Sequence, residues 1–289
     1  VTVLRLLSSQ VDFDEQGYLF TSFNGAWARE FEPVRTECGP GTVSGGSRTG
    51  CSSNRANPFV MLEGRGTDET HGDCYGFHLL YSGDHFECAC GNAYGKLRFL
   101  QGIQPEGFSW RLEPGEGFCT PEAAMTYGWG AAEMSGNLHA FIREHVVRGW
   151  WKRRVRPVLV NSWESFYFRF TQKDLLRLAR QGKALGAELF VLDDGWFGKR
   201  DNDRRSLGDW DIADRRKLPE GLGGLANRVR ALGIGFGLWV EPEMVSEDSG
   251  LYRAHPDWAL RVPGRAPARG RGQLVLDFSR KEVRDHIYR

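Results

Sequence analysis

The sequence lacks long apolar runs and any excess of charge of one sign, and both absences exclude classes of protein. No stretch of about 18 consecutive apolar residues occurs in the 289 residues, so we expect no transmembrane span. The 38 Lys and Arg residues nearly balance the 37 Asp and Glu residues, and the formal net charge is +1. That balance provides no general field for nucleic acid or an anionic membrane, and we expect neither partner.

Cysteine is present but lacks the spacing of a metal site or a disulfide framework. None of the cysteines forms a CxxC, and the pair Cys88 and Cys90 has no second pair at metal-site spacing. We therefore expect buried free thiols in a cytoplasmic protein. The sequence holds six cysteines, all in its first half: Cys38, Cys51, Cys74, Cys88, Cys90 and Cys119.

Neither end of the sequence carries the signals of a natural terminus. The first residue is Val1 rather than Met, and no signal peptide is visible. Residues Arg284–Arg289 stop inside a helical pattern without a cap. We expect the chain to be a piece of a longer protein.

Tryptophan is unusually abundant, with ten residues in the chain. Surplus Trp is typical of proteins that stack indoles on the apolar faces of sugars, and a large core is the alternative explanation. The 40% of hydrophobic residues and 26% of charged residues permit a sizeable core and argue against disorder. The length fits one large domain or two medium ones.

The first part of the chain, residues 1–130, has the pattern of short strands separated by turns. Apolar or alternating runs such as Phe77–Tyr81 and Lys96–Leu100 are bounded by turn residues. Short strands at regular turn spacing predict an antiparallel sandwich. The stretch Gly39–Asn57 is rich in Gly, Ser, Thr and Arg, and we expect a long loop there.

A helix and a basic joint, residues 131–154, follow the predicted sandwich. Met134, Leu138, Phe141 and Ile142 recur at helical spacing within Ala132–Val147. Beyond that helix, Gly149–Pro157 contains a cluster of four basic residues, which is more typical of a solvated linker than of a binding patch. We place the domain boundary in this joint.

Strands and helices alternate over residues 155–289. Alternation with acids and aromatics at the strand ends predicts a parallel β/α barrel. The predicted strands are Val158–Val160, Leu189–Leu192, Gly235–Val240 and Leu274–Phe278, and the predicted helices are Thr171–Gly186, Leu218–Leu232 and a terminal one from Arg280.

The ends of the first three of these strands predict one site. Trp163 follows the first strand, Asp193 and Asp194 the second, and Trp239 and Glu241 the third. The carboxyl ends of parallel strands meet on one face, so these side chains converge. Indole faces and carboxylate acceptors suit a sugar pocket. Two alternatives stay open, which are a Mg²⁺ site built on the same acids and a solvated βα turn.

The residues at these strand ends resemble the α-galactosidases of glycoside hydrolase family 36. In the second half the motifs are Asn161–Glu164, Leu192–Gly198, Leu207–Trp210, Leu238–Met244 and Gln273–Asp277. In the first half they are Thr21–Glu30, His71–Phe77 and Phe108–Gly115. The motifs occur in the family's order and cover nearly the whole chain, which makes the resemblance specific.

The resemblance implies a fold, an activity and a set of site residues. The fold is multidomain β and α/β, with an N-terminal antiparallel β-supersandwich followed by the first part of a (β/α)8 TIM barrel. The activity is retaining hydrolysis of terminal α-galactosides such as melibiose and raffinose, with no metal or organic cofactor. By motif, Asp193 and Asp194 bind galactose hydroxyls, Trp163 and Trp239 line the pocket, and Arg271 contacts the substrate.

The resemblance also implies an assembly. The family forms homotetramers, and Trp27 matches a tryptophan that reaches into a neighbouring subunit's site.

One departure from the family pattern decides what this chain can do. The family's nucleophilic aspartate lies in a Lys-Trp-Asp motif on a later strand, the acid/base aspartate lies later still, and residues 1–289 contain no such motif. We expect both aspartates downstream of Arg289, so that this chain binds sugar without catalysing hydrolysis. A raffinose-synthase-like galactosyltransferase, an N-acetylgalactosaminidase and a non-catalytic galactose binder remain alternatives. The three or four barrel strands present cannot close a barrel, and we expect an exposed apolar edge.

Overall fold

The computed structural model describes residues 1–289, and the chain divides into two compact units. The first unit comprises Val1–Arg154 and the second comprises Val155–Arg289. No helix in either unit combines the length and apolar character needed to span a membrane.

The first unit consists of eleven strands followed by one α-helix, α1 (Ala131–Phe141). The strands are β1 (Thr2–Val3), β2 (Leu7–Phe13), β3 (Leu19–Ala26), β4 (Arg29–Glu37), β5 (Gly41–Gly46), β6 (Ala56–Glu63), β7 (Asp73–Leu80), β8 (His85–Gly91), β9 (Leu97–Ile103), β10 (Trp110–Arg111) and β11 (Glu122–Trp129).

Two antiparallel sheets of the first unit pack around a shared core. One sheet has the order β11-β7-β6-β3-β4, the other has the order β2-β9-β8-β5, and β1 pairs with β10 separately. Successive side chains point to opposite faces of a strand, so each strand turns one face to the interior. Phe77 of β7 and Phe99 of β9 lie on these interior faces. Their rings stack with centroids 3.9 Å apart and are fully buried. The prediction of antiparallel strands in this half is confirmed.

The predicted long loop Gly39–Asn57 is wrong, because β5 lies within it. This strand is an edge strand that pairs with β8 from Gly41 opposite Gly91 to Gly46 opposite Phe86. Its sequence is mostly Gly, Ser and Thr, with Val43 as the hydrophobic side chain that packs on the core. An edge strand made mostly of Gly, Ser and Thr carries little hydrophobic pattern and depends on its ladder hydrogen bonds to β8, so its own sequence could not reveal it.

Helix α1 packs on the outer face of the five-stranded sheet. Met134 and Leu138 are its buried residues, and Gly76 of β7 leaves the space that Met134 occupies, since a Cβ at Gly76 would lie 2.3 Å from the Met134 sulfur. The predicted helix extended to Val147, whereas the structure ends α1 at Phe141 and continues with a wider π-helical turn, Ile142–Val146. A short 3₁₀ turn, Trp150–Arg153, completes this unit.

The cysteines of the first unit are unpaired but are not all buried. Cys38, Cys74 and Cys88 are buried and Cys90 is half-buried, whereas Cys51 and Cys119 are exposed. The expectation of buried thiols is therefore wrong for the last two, which lie outside the strands.

The second unit alternates strands and helices in its first part. Its elements are β12 (Leu159–Asn161), α2 (Trp163–Phe166), α3 (Gln172–Ala184), β13 (Leu189–Leu192), α4 (Gly221–Arg230), β14 (Gly235–Leu238), β15 (Met244–Val245), α5 (Gly250–Ala254), a 3₁₀ turn (Pro256–Trp258), β16 (Arg269–Gly270), β17 (Gln273–Val275) and α6 (Lys281–Ile287).

Strands β12, β13 and β14 form a parallel sheet in chain order, as the alternation predicted. Helices α3 and α4 contribute their apolar faces to the core beneath it, where Leu175, Phe190 and Leu225 are fully buried. Helix α3 begins with a capping box, in which Thr171 and Asp174 each bond the other's backbone N–H.

The predicted strand Leu274–Phe278 is not a further strand of the parallel sheet. The structure places β17 in a separate antiparallel sheet of order β15-β17-β16. Gly270 pairs with Gln273 across a two-residue turn, and both turn residues, Arg271 and Gly272, have positive φ. A two-residue hairpin joins antiparallel strands, whereas parallel strands need a longer crossover, so the expectation of parallel pairing is wrong here.

Candidate functional site

Three parallel strands end at the same level, and their next residues lie side by side. Leu189 is the register partner of both Leu159 and Gly235, and the ladder continues one step past the strands. The Ser162 N–H donates to the Val191 carbonyl at 3.1 Å, and the Trp239 N–H donates to the Leu192 carbonyl at 2.9 Å. The carboxyl ends of β12, β13 and β14 therefore form one edge, as the sequence predicted.

Asp193 is the partly exposed acid of this edge, and its carboxylate has two hydrogen-bond donors. The Asn161 side-chain amide donates to Oδ2 at 2.6 Å, and the Asp194 backbone N–H donates to Oδ1 at 2.7 Å. The Asp193 N–H itself donates to the Ser162 hydroxyl at 3.0 Å. An ionised carboxylate offers about four acceptor positions, so about two stay open for a ligand.

Asp194 is the buried acid of the pair, with 5% of its surface exposed. The Arg200 guanidinium binds the Asp194 carboxylate through a two-point contact. Nε donates to Oδ1 at 2.9 Å and Nη2 donates to Oδ2 at 2.8 Å. Nε also lies 3.2 Å from Oδ2. Successive side chains on a strand diverge, which is why two adjacent aspartates have separate partners.

Sequence reasoning missed Arg200. It lies in the polar loop after β13, and a single Arg among several basic residues in a loop resembles a solvated side chain. The available signal was its position six residues after Asp194, two residues beyond the Leu192–Gly198 motif. The structure instead shows a guanidinium with no exposed surface.

Trp163 and Trp239 both lie at this edge and are half-buried. Trp163 opens the single-turn helix α2, and its ring packs edge-on against Tyr167 and Phe168 with centroids 5.0 and 5.1 Å away. The Trp239 carbonyl accepts a hydrogen bond from the buried Trp196 indole at 3.0 Å. Trp196 is therefore a core residue whose indole N–H also fixes the backbone of Trp239.

A second indole contacts Trp239 from the loop between β13 and α4. Trp210 packs edge-on against the Trp239 ring, with centroids 6.2 Å apart. The Trp210 Nε1 is buried and has no hydrogen-bond partner. Trp210 also packs on Phe197, 4.3 Å between centroids, so it is part of the aromatic support beneath the edge.

Arg271 lies in the hairpin turn between β16 and β17 and is half exposed. Its guanidinium forms an ion pair with Glu241, which follows β14. Burial raises the pKa of Glu241, and the positive charge of Arg271 partly offsets that effect. The second oxygen of Glu241 is buried without a partner. The structure thus brings together Arg271 and Glu241, two residues that the sequence analysis had treated separately.

Trp27 belongs to the first unit and lies at the tip of the hairpin between β3 and β4. Ala26 pairs with Arg29 across this tip, and Ala28 has a positive φ of 61°. The Trp27 side chain is 90% exposed. Within its own unit it contributes to no hydrophobic core.

The strand-end acids do not form a metal-binding cluster. No group of three His, Cys, Asp or Glu side chains lies close enough to hold a metal ion. The nearest neighbours of the two aspartates are an amide and a guanidinium, and a guanidinium cannot ligate a cation. These contacts leave Asp193 with open acceptor positions for the hydroxyl groups of a ligand.

Comparisons with known proteins match the whole chain. Residues 1–113 match the model of the glycosyl hydrolase family 36 N-terminal domain, and residues 117–289 match the melibiase model. The chain is 49% identical to the α-galactosidase AgaA of Geobacillus stearothermophilus, over 99% of this chain and 39% of AgaA. It is 45% identical to the bifunctional α-galactosidase/sucrose kinase AgaSK of Mediterraneibacter gnavus, over 100% of this chain and 31% of AgaSK.

Solved structures give the same result. The crystal structure of the family 36 α-galactosidase AgaB from Geobacillus stearothermophilus superimposes with a TM-score of 0.96 at 49% identity, over 99% of this chain and 40% of that chain. Two AgaA variants with substituted aspartates, which match equally well, are in complex with stachyose and with raffinose. This chain spans about two fifths of the length of AgaA. The two family models together cover nearly every residue, and the chain therefore belongs to glycosyl hydrolase family 36, the family of the melibiases.

Proposed function

We propose that this chain supplies part of the galactose-binding site of a retaining α-galactosidase that hydrolyses terminal α-galactosides such as melibiose and raffinose. The observation that carries the proposal is the edge formed by β12, β13 and β14, where two carboxylates held in different orientations lie beside a half-buried indole. Asp193, Asp194, Trp163, Trp239 and Arg271 are the proposed binding residues. The named relatives, which are α-galactosidases, support the same activity.

The chemistry of the edge suits a sugar. Carboxylates accept hydrogen bonds from hydroxyl groups, and a charged acceptor contributes about 1.5–3 kcal/mol per hydrogen bond. Asp193 keeps about two acceptor positions open after its contacts with Asn161 and Asp194. The half-buried rings of Trp163 and Trp239 offer apolar surface for the C–H face of a pyranose.

We further propose that the two reacting carboxyl groups lie outside residues 1–289. Retaining hydrolysis needs a nucleophile and an acid/base about 5–5.5 Å apart on the two sides of the scissile bond. Asp194 is bound by Arg200, and Asp193 is its immediate neighbour on one strand end, so this pair cannot flank a glycosidic bond. In this proposal β12, β13 and β14 are the first strands of a (β/α)8 barrel that later residues of the longer protein complete.

The test is galactose binding measured on the 1–289 chain. We expect two-dimensional ¹H–¹⁵N NMR titration with galactose to shift the amides of Asp193, Asp194 and Trp239. We expect Asp193→Ala to weaken binding about tenfold or more, because it removes a charged acceptor. Asp285→Asn is the matched control, because Asp285 is an exposed acid of α6 paired with Lys281, and it should bind galactose like the unmodified chain.

An activity assay on the same sample separates binding from catalysis. We expect no turnover of an aryl α-galactoside by the 1–289 chain. Measurable turnover would place the catalytic carboxyl groups within these residues. Galactose binding by the full-length protein that Asp193→Ala leaves intact would reject the binding site.

The assembly and location of the longer protein belong to the same proposal. We propose a homotetramer in which Trp27 enters a neighbouring subunit's site, supported by its exposure at a hairpin tip. We place the protein in the cytoplasm on the basis of its cysteine pattern, and cell fractionation measures this directly.

A further inference from the structure

Arg200 makes a buried ion pair that the proposed reaction does not explain. Its guanidinium has no exposed surface, and the carboxylate it binds, on Asp194, is also buried. Removing an ion pair from water costs free energy, and only good geometry with further hydrogen bonds offsets that cost. Replacing a buried ion pair by apolar side chains of similar volume often leaves the stability of a fold unchanged or raises it. Stability alone therefore does not account for this pair.

The surroundings of Arg200 hold its guanidinium in one orientation. Nη1 donates to the Arg205 carbonyl at 2.9 Å, which uses the side of the group that faces away from Asp194. The guanidinium carbon lies 5.6 Å from the Phe168 ring centroid and 5.8 Å from that of Phe197, within the range of cation–π attraction.

Lys217 also fixes the backbone around this pair. The Lys217 ammonium donates to the Gly195 carbonyl at 2.7 Å and to the Arg200 carbonyl at 2.8 Å. Burial lowers the pKa of Lys217, with partial compensation from Asp214. Lys217 therefore joins the two ends of the segment that runs from the aspartates to Arg200.

We propose that Arg200 is a positioning residue of the sugar site, which acts by holding Asp194 in a single orientation as a hydrogen-bond acceptor. The inference rests on the proposed function, because it assigns Arg200 a role through Asp194. Arg200 places two N–H groups, Nε–H and Nη2–H, on the Asp194 carboxylate, with Nε–H shared between both oxygens, and so occupies about two of its four acceptor positions. Asp194 thus keeps open acceptor positions whose direction is set by the plane of one buried guanidinium, whereas the two donors on Asp193 come from two different residues.

A second Arg–Asp pair in the same unit provides a matched comparison. Arg216 binds Asp214 with the same two-point geometry, Nε to Oδ1 at 3.0 Å and Nη2 to Oδ2 at 2.7 Å. Asp214 is buried like Asp194, but Arg216 is largely exposed and the pair lies in the loop before α4. The two pairs share the same contact geometry and differ in the burial of the arginine and in their relation to the strand ends.

The experiment compares Arg200→Lys with Arg216→Lys in the 1–289 chain. Lysine keeps the positive charge but cannot make the two-point contact. We expect Arg200→Lys to weaken galactose binding about tenfold or more in the NMR titration, at a temperature where circular dichroism shows a folded chain. Arg216→Lys should change galactose affinity less than twofold, although it also breaks an Arg–Asp contact.

A measurement on the unmodified chain covers the case in which Arg200→Lys does not fold. The ¹H–¹⁵N signal of the Arg200 Nε–H group should shift on addition of galactose, because its acceptor Asp194 then gains a second partner, and the Arg216 Nε–H signal should stay in place. Galactose binding that leaves the Arg200 signal unmoved, or that Arg200→Lys leaves intact, overturns the positioning role alone. Absence of any galactose response, both in the 1–289 chain and in the full-length protein, overturns the proposed function and this inference with it.

Discussion

His85 and Glu87 form a buried ion pair between the two sheets of the first unit. His85 Nδ1 lies 2.9 Å from both Glu87 oxygens, and its Nε2 lies 3.1 Å from the Ala56 carbonyl oxygen. Both side chains are almost completely buried. With an acceptor at each ring nitrogen, His85 fits best as an imidazolium that donates two hydrogen bonds.

The environment of this pair makes the stability of the first unit depend on pH. Burial opposes the charge on His85, but the hydrogen bond and charge of Glu87 outweigh it and raise the pKa of His85 above its usual value. A His whose pKa is higher in the folded state contributes stability that is complete below its unfolded pKa of about 6.5 and is lost as pH rises through the folded value. Burial also raises the pKa of Glu87, which has the same sign, because ionising it costs stability as pH rises.

We therefore expect the free energy of unfolding to fall as pH rises above the unfolded His pKa of about 6.5. Glu87→Gln should destabilise the chain by about 3–5 kcal/mol at neutral pH, because it leaves His85 buried without a carboxylate. His85→Gln should flatten the pH dependence in this window. Urea denaturation at a series of pH values measures both effects.

The control for the pH series is His71→Gln, since His71 is an exposed histidine in the same unit. This variant removes an imidazole that has no part in the buried pair, so it should not reproduce the change expected for His85→Gln. An equal slope for His85→Gln and the unmodified chain would show that the buried pair does not titrate in this range.

At the scale of single elements, two helices contain an interior glycine in different surroundings. Gly182 of α3 faces Val160 of β12, and a Cβ added there would lie 2.7 Å from Val160 Cγ1. Gly136 of α1 faces open space, with no atom within 4 Å of an added Cβ. Neither residue has the positive φ that requires glycine.

These surroundings predict opposite effects for the same substitution. Gly136→Ala should stabilise the chain by about 0.5–1 kcal/mol, because alanine is the better helix former and restricts the unfolded chain. Gly182→Ala should destabilise by about 1–3 kcal/mol, because overpacking against Val160 exceeds the gain in helix propensity. Thermal unfolding of the two variants measures the difference, and a higher midpoint for Gly182→Ala would show that β12 moves to accept the methyl group.

The elements themselves differed in how readily the sequence revealed them. Helix α3 was predictable, because Thr171 caps it and Gly186 stops it, and both signals are local. Strand β5 was not, because its pairing with β8 depends on a partner more than 40 residues away rather than on its own side chains. Strand β17 was found but assigned to the wrong sheet, since the turn at Arg271 and Gly272 fixes its direction.

At the scale of the whole molecule, two exposed aromatic residues at hairpin tips allow a test of the proposed assembly. Trp27 lies at the tip between β3 and β4, and Tyr94 lies in the turn between β8 and β9, and each is 90% exposed. An exposed Trp is a common hot spot of protein interfaces, whereas scattered exposed aromatics need no function.

We expect Trp27→Ala in the full-length protein to lower kcat/KM about tenfold or more, because a neighbouring site loses an indole. Tyr94→Ala is the matched control and should leave kcat/KM within twofold. Light scattering coupled to size-exclusion chromatography measures the oligomeric state of both variants. A monomeric full-length enzyme with unchanged kinetics in Trp27→Ala would reject the tetramer and the role of Trp27.

The sequence by itself determined that Asp193 and Asp194 end a buried strand, that strands and helices alternate after residue 155, and that the chain resembles family 36. These features depend on local patterns of apolar, polar and turn residues, which any reader of the sequence can follow. Only the tertiary structure decided that Arg200 binds Asp194 and not Asp193, and that Arg271 binds Glu241. The physical reason is that adjacent side chains on a strand point in different directions, and the partner each one meets is decided by how the connecting loops and the neighbouring strands fold around it.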